Sequence, residues 1–171
     1  MIARFRPKRR SEDGAAAVEL ALVLPILLLL VFGIISFGII FAQQLAVNNG
    51  VRQGVRSAVV AGNITQQTCG QVLSSIQSAS GPTIGMSTGD VKVQVQRVPS
   101  TGPPFNCFTA ATKTATGANI NKRVCAEGTG VEASIKATSE YETKLLTGLP
   151  FMTSPTFTLT ATAVYRCEFS S

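Results

Sequence analysis

The sequence contains no histidine and no tryptophan, and only 14% of its residues are charged. Histidine is the usual general base near neutral pH and the usual partner of serine and cysteine nucleophiles, so its absence argues against catalysis. Three acidic residues, Glu132, Glu140 and Glu142, fall on one face of a predicted strand, and we interpret them as a solvated face. We predict that the protein is not an enzyme, with no catalytic residues and no cofactor.

The excess of positive charge is small and divided between two parts of the chain. The net charge is +6, and residues 1–14 hold five basic and two acidic groups while the remainder holds ten basic and seven acidic groups. A region as weakly basic as residues 15–171 carries no nucleic-acid footprint, so we predict no nucleic-acid partner.

The run from Leu20 to Phe41 has no ionisable side chain and comprises 22 residues. As a helix it measures about 33 Å, enough to cross a bilayer core of about 30 Å. The basic cluster in residues 1–14 predicts that the N-terminus stays in the cytoplasm and that the chain from about Gln43 onward lies outside. A cleaved secretory signal is the alternative. It is disfavoured because the run is too long and Phe41 is bulky at the nearest cleavage site.

The four cysteines, Cys69, Cys107, Cys125 and Cys167, all follow the apolar run. An even number in an oxidising compartment predicts two disulfides, for which three pairings are possible. Of these we predict Cys107–Cys125 as a local loop staple and Cys69–Cys167 as a link from a short helix to the last strand. A zinc site is disfavoured because there is no close cysteine pair and no histidine, so we predict no metal.

Hydrophobic periodicity predicts an α+β fold. A long N-terminal transmembrane helix is followed by a small extracytoplasmic domain with a short helix and an antiparallel sheet of about three to four strands. Pro25 lies inside the long helix and predicts a kink. The predicted segments are a basic leader 1–14, a long helix 15–62 with its span at about 20–42, and a disulfide-stapled domain 63–171. Within that domain we predict a helix 66–80, strands 90–98, 131–142 and 157–168, and a loop 99–118.

The helix beyond the span is amphipathic. Arg52 and Arg56 are four residues apart and therefore share one face, in a stretch that also contains Gly54. Apolar residues form the neighbouring face, which we expect to pack on the domain: Leu45, Val47, Val51, Val55, Ala58 and Val59.

Two stretches of the sequence resemble a known family. Residues 14–25, GAAAVELALVLP, closely resemble the start of TadE-like proteins, and residues 50–58, GVRQGVRSA, resemble their post-membrane stretch. These are minor pilins, or pseudopilins, of the bacterial tight-adherence (Flp) type IV pilus system. The chain departs from the family pattern at Leu20, where an aromatic residue is common, and at Ser36, where an acid is often found.

The resemblance implies a function in biogenesis or assembly of an adhesive pilus. It implies cleavage between Gly14 and Ala15 by a prepilin peptidase, and contacts with other pilin and pilus-assembly subunits and with membrane lipid. Glu19 would then neutralise the new N-terminal amine of an adjacent subunit. The location implied is the cytoplasmic membrane, single-pass, and, for a subunit that is incorporated, a surface pilus. The alternative is a permanently membrane-anchored extracytoplasmic module that binds a ligand.

Overall fold

The structure is a computed structural model that describes residues 12–60, 67–81, 86–87, 89–99, 104–125, 133–144 and 156–167. Two helices, α1 (Glu12–Val60) and α2 (Cys69–Ser80), precede and flank a four-stranded sheet. The strands are β1 (Lys92–Pro99), β2 (Phe105–Asn106), β3 (Ala133–Lys144) and β4 (Thr156–Arg166). The α+β prediction with one long apolar helix is confirmed.

Helix α1 is continuous over 49 residues and passes through Pro25 without ending. It begins three residues earlier than predicted, inside the leader, while the predicted stop at Gly62 lies outside the described residues. Its two halves have different surroundings. Large apolar side chains from Val18 to Ile35 are exposed, whereas Val47, Val51 and Val55 are almost fully buried.

Helix α2 is short and strongly capped at its start. Thr68 Oγ1 accepts a hydrogen bond from Gln71 N, and the Gln71 side chain accepts one from Thr68 N in return. The helix ends at Gly81, whose φ of 63° favours glycine. The buried face of α2 includes Val72 and Ile76, as the periodicity predicted.

The sheet has the order β2-β1-β3-β4 and all its pairings are antiparallel. On β3 the buried residues, among them Ile135 and Ala137, alternate with exposed or half-buried ones, so a single face meets the helices. The predicted strands 90–98, 131–142 and 157–168 are thus found with shifts of one or two residues at their ends. The core consists of apolar side chains from both helices and from this one sheet face.

Strand β2 lies inside the segment 99–118 that we predicted to be a loop. It pairs for only two residues, Gln96 with Asn106 and Arg97 with Phe105. The Arg97 guanidinium lies 4.9 Å from the centre of the Phe105 ring, and Cys107 N donates to Val95 O. A pairing this short leaves no alternating pattern in the sequence, so periodicity could not reveal it.

The two predicted disulfides are present, but the predicted pairing is wrong. The bonds join Cys69 to Cys107 and Cys125 to Cys167. Cys107 is held beside β1, whereas Cys167 continues β4 by donating its N–H to Ala133 O. Cys107 follows β2, and the three inter-strand steps from β2 to β4 put these two positions about 14 Å apart across the sheet. Cys69, which is bonded to Cys107, therefore cannot also reach Cys167, and Cys125, which is bonded to Cys167, cannot reach Cys107.

The loop from Cys107 to Cys125 is therefore bonded to two different elements: Cys107 to the start of α2 and Cys125 to the end of β4. Cys69 opens α2, and its N–H bonds to Lys122 O, so the loop runs along the start of that helix. Val124 N then bonds to Gln67 O, and the next residue, Cys125, is joined to Cys167 at the end of β4. The predicted Cys107–Cys125 staple assumed that this loop closes on itself, but the loop crosses the end of the sheet instead.

We expect non-reduced peptide mapping to recover Cys69–Cys107 and Cys125–Cys167. The bonds close loops with sequence separations of 38 and 42. In the chain-entropy model each therefore stabilises the fold by about 4 kcal/mol. The double variants Cys69→Ala/Cys107→Ala and Cys125→Ala/Cys167→Ala should lose similar amounts in urea unfolding. A peptide containing Cys107 linked to Cys125 would contradict this arrangement.

Candidate functional site

The candidate site is α1 itself, whose N-terminal half projects away from the rest of the described structure. The large side chains of this half are 40–71% exposed, including Leu22 at 71% and Leu24 at 41%. Nothing lies within 4 Å of a Cβ built at Gly33 or Gly38. By length and composition this is a helix that can cross a membrane. An exposed apolar helix of this length must be covered by lipid or by other helices.

The predicted processing and pairing residues all lie on the projecting half. Gly14 and Ala15 are exposed in the first turns of α1, and Glu19 is exposed one turn after Ala15 on the same face. The side chain of Glu19 is therefore open to a neighbouring molecule. Pro25 lies further along the same exposed segment and leaves the carbonyl of Ala21 without its helical hydrogen bond.

The post-membrane stretch divides into two faces with different roles. Arg52 and Arg56 are exposed and point away from the core, as their spacing predicted. Val51 and Val55 are buried on the other side. Leu45 was expected on the buried face but is 47% exposed, because it lies off the line of contact with the sheet and α2.

Gly50 and Gly54 form the closest contact between α1 and α2. A Cβ at Gly54 would lie 2.8 Å from Ile76 Cα, and one at Gly50 would lie 2.7 Å from Ser80 Cα. Both distances are too short for any side chain, so the helix backbones touch at this crossing. From the sequence, Gly54 was predicted only as a member of the post-membrane stretch with Arg52 and Arg56, without a packing role. The four-residue glycine spacing is the signal that could have revealed its packing role.

Two glutamines on α1 connect the helix to the end of the sheet that lies nearest the apolar run. Thr143 Oγ1 donates to Gln43 Oε1 at 2.6 Å, and Gln44 Nε2 donates to Thr160 O at 3.1 Å. Gln43 and Thr143 are both buried. Nothing in the sequence indicates this junction, because a polar pair just past an apolar run gives no periodic signal.

The acidic face of β3 behaves as a solvated surface. Glu142 is exposed and bonds to Lys92 Nζ at 2.6 Å across the sheet. That hydrogen bond and the charge of Lys92 lower the pKa of Glu142, and the same pair raises the pKa of Lys92. Glu140 is half-buried and Glu132 lies outside the described residues. Within the described ranges, no group of three His, Cys, Asp or Glu side chains could hold a metal.

Together these features define a class of protein: a single long apolar helix whose C-terminal half forms one wall of a small disulfide-bonded α+β domain. A family model described as TadE-like protein matches residues 14–56, about a quarter of the chain. No curated protein and no solved structure matches. Residues 14–56 are therefore similar to TadE-like proteins, and the resemblance drawn from residues 14–25 and 50–58 is confirmed.

The family match includes Gly54, whose packing role is testable. In Gly54→Ala the new methyl group must displace the α2 backbone at Ile76, an overpacking that should cost about 1–3 kcal/mol. Urea unfolding of the full chain in detergent measures this loss. Gly33→Ala is the matched control, because a Cβ there meets nothing within 4 Å. Equal stabilities for the two variants would contradict the close crossing.

Proposed function

We propose that the protein is a TadE-like minor pilin, or pseudopilin, that acts in the assembly of a tight-adherence pilus used for surface adhesion. The observation that supports this proposal best is the division of α1. Its N-terminal half is apolar and uncovered, while its C-terminal half is built into a folded domain. Such a helix can first anchor the subunit in a membrane and later pack among the helices of other subunits.

Processing between Gly14 and Ala15 gives this helix its assembly signal. Cleavage by a prepilin peptidase removes a leader of net charge +3 and leaves an amine at the start of the helix. That amine is costly to bury alone, since a charge in a low-dielectric environment needs a partner. Glu19 is an exposed carboxylate near the N-terminal end of α1, where it can supply that partner. Pairing between subunits would set their axial register.

The disulfides and the distribution of charge support a membrane topology with the N-terminus in the cytoplasm and the domain outside. Two disulfides in the domain suit an oxidising compartment outside the cytoplasm. The basic cluster of residues 1–14 suits the cytoplasmic side. In this arrangement the prepilin peptidase acts at the inner face of the membrane and the domain lies outside.

The charge-pairing mechanism makes a specific prediction for cells that carry the rest of the pilus system. Glu19→Gln should be processed normally, with a mature N-terminus at Ala15 by intact mass. Co-purification with other pilus subunits and the number of surface fibres should both fall. The amide fills the same space as the carboxylate but cannot neutralise an amine, so the loss would be electrostatic.

Two control variants separate the possible outcomes. Glu140→Gln makes the same chemical change on the sheet and should leave fibres unchanged. Gly14→Arg should block cleavage and reveal the unprocessed mass. An uncut chain in wild-type cells would refute the pilin assignment and favour a permanently anchored binding module. Normal assembly by Glu19→Gln would refute only the charge pairing.

A further inference from the structure

The domain meets α1 before the apolar run has ended. Ser36 is only 4% exposed, and Ile40 packs against the hydrophobic core. Both residues belong to the apolar run, which continues to Phe41. The contact surface therefore overlaps the last six residues of the run, or about 9 Å of helix. Any membrane that covers the whole run must also reach the edge of the domain that lies nearest the run.

The direction of α2 shows which edge of the domain lies nearest the apolar run. Helix α2 runs antiparallel to α1, because Gly50 faces Ser80 and Gly54 faces Ile76. The start of α2 is therefore the end of the domain farthest along α1 from the apolar run. The Cys125–Cys167 bond lies at that far end, since Val124 N bonds to Gln67 O beside α2.

The opposite end of the sheet faces the membrane helix. Thr143, near the end of β3, bonds to Gln43, and Thr160 of β4 bonds to Gln44. The register of the two strands pairs Thr143 with Phe157 and Lys144 with Thr156. Phe157 therefore lies about 5 Å from Thr143, at about the level of Gln43, and Lys144 and Thr156 lie one residue further toward the apolar run. We call Lys144, Thr156 and Phe157 the base of the domain.

The thickness of a bilayer places this base at the lipid boundary. The part of the run free of the domain, Leu20 to Ile35, has 16 residues and measures about 24 Å. A hydrocarbon core of about 30 Å needs roughly four more residues of helix. Tilting the helix increases that number. The boundary of the hydrocarbon therefore falls near Ile39, about four residues or 6 Å of helix before Gln43, which places the base in the headgroup layer just outside it.

The side chains of the base fit such a boundary. Phe157 is 46% exposed, although Leu159, Ala161 and Ala163 on the same face of β4 are at most 9% exposed. Lys144 is exposed at the end of β3, opposite Thr156. Phe157 and Lys144 thus lie at the same end of the sheet, on its two opposite faces. At a membrane boundary the apolar ring can enter the acyl region while the ammonium of the lysine reaches lipid phosphates. The sequence of residues 145–155, which joins the two strands, contains no charged residue.

We propose that the base of the domain is a lipid-binding surface that is seated in the outer headgroup layer of the membrane crossed by α1. This inference rests on the membrane anchoring in the proposed function. Its consequence is that the domain does not swing freely above the bilayer. Helix and base together hold it at a fixed height and orientation, with Arg52 and Arg56 presented above the membrane surface.

The absence of tryptophan from the natural chain allows a direct test by fluorescence. Three single-tryptophan variants of the full chain are reconstituted in phosphatidylcholine–phosphatidylglycerol vesicles with acyl chains brominated near the headgroup. Phe157→Trp probes the base, Phe37→Trp probes the span at a site 72% exposed, and Val164→Trp is a control on the same strand, 58% exposed and far from the base. Disulfide mapping confirms the fold of each variant.

We expect the brominated lipid to quench the tryptophans at positions 37 and 157, with emission blue-shifted at both, and to leave position 164 unquenched. Quenching at 37 but not at 157 would overturn the lipid contact and leave the anchoring intact. A blue-shifted but unquenched tryptophan at 157 would show that protein, such as a second copy of the chain, covers the base, and would also overturn it. No quenching at 37 would refute the anchoring and this inference together.

Discussion

The close contact of α1 with α2 at Gly50 and Gly54 is the constraint on which the rest of the structure depends. With no side chain at either position, the two backbones approach until a Cβ would overlap the opposite helix. This approach places Val47, Val51 and Val55 in the core, where each is at most 1% exposed. The C-terminal half of α1 is thus one wall of the domain, and removing it would remove part of the core.

The N-terminal half of α1, from Val18 to Ile35, gains nothing from this arrangement, because its large apolar side chains are exposed in the described structure. These side chains are favourable in lipid, and Gly33 leaves room for a close neighbour. In lipid the hydrophobic effect does not drive helices together, so a charged pair or close backbone packing must supply specificity. The exposed position of Glu19 gives the proposed assembly function a physical basis that the apolar residues alone do not provide.

The rigidity of one continuous helix has a second consequence for the domain. The Gln43–Thr143 and Gln44–Thr160 hydrogen bonds fix the lower edge of the sheet to the end of the apolar run. A polar pair buried at this level has few alternative partners, so breaking it is costly. Helix and sheet therefore move as one body relative to the membrane, and orientation of the helix sets orientation of the domain.

The sequence predicted those parts of the fold that repeat with a regular period. The apolar run, the face of α2 at Val72 and Ile76, and the alternation along β1, β3 and β4 were all visible as patterns. The pairing of the cysteines was not, because it depends on the path of the loop after Cys107 across the end of the sheet. The two-residue β2 and the glutamine contacts of α1 were missed for a related reason, since each is a single tertiary contact without a local pattern.

For the candidate site, the family resemblance indicated Gly14, Glu19, Arg52, Gly54 and Arg56, while the structure separated their surroundings. The arginines are exposed and Gly54 is buried against Ile76, a difference that a motif of alternating residue types cannot show. Processing after Gly14 and pairing by Glu19 depend on other molecules and stay predictions.

The central claim, that the C-terminal half of α1 belongs to the folded domain, is tested most directly by comparing two truncated chains. One begins at Gln43 and keeps the helix segment that packs on α2 and the sheet, and the other begins at Ala61 and lacks it. Urea unfolding after oxidative refolding should show a cooperative transition and both disulfides, Cys69–Cys107 and Cys125–Cys167, for the first chain only. A cooperative transition with the same midpoint for the chain that begins at Ala61 would contradict the account.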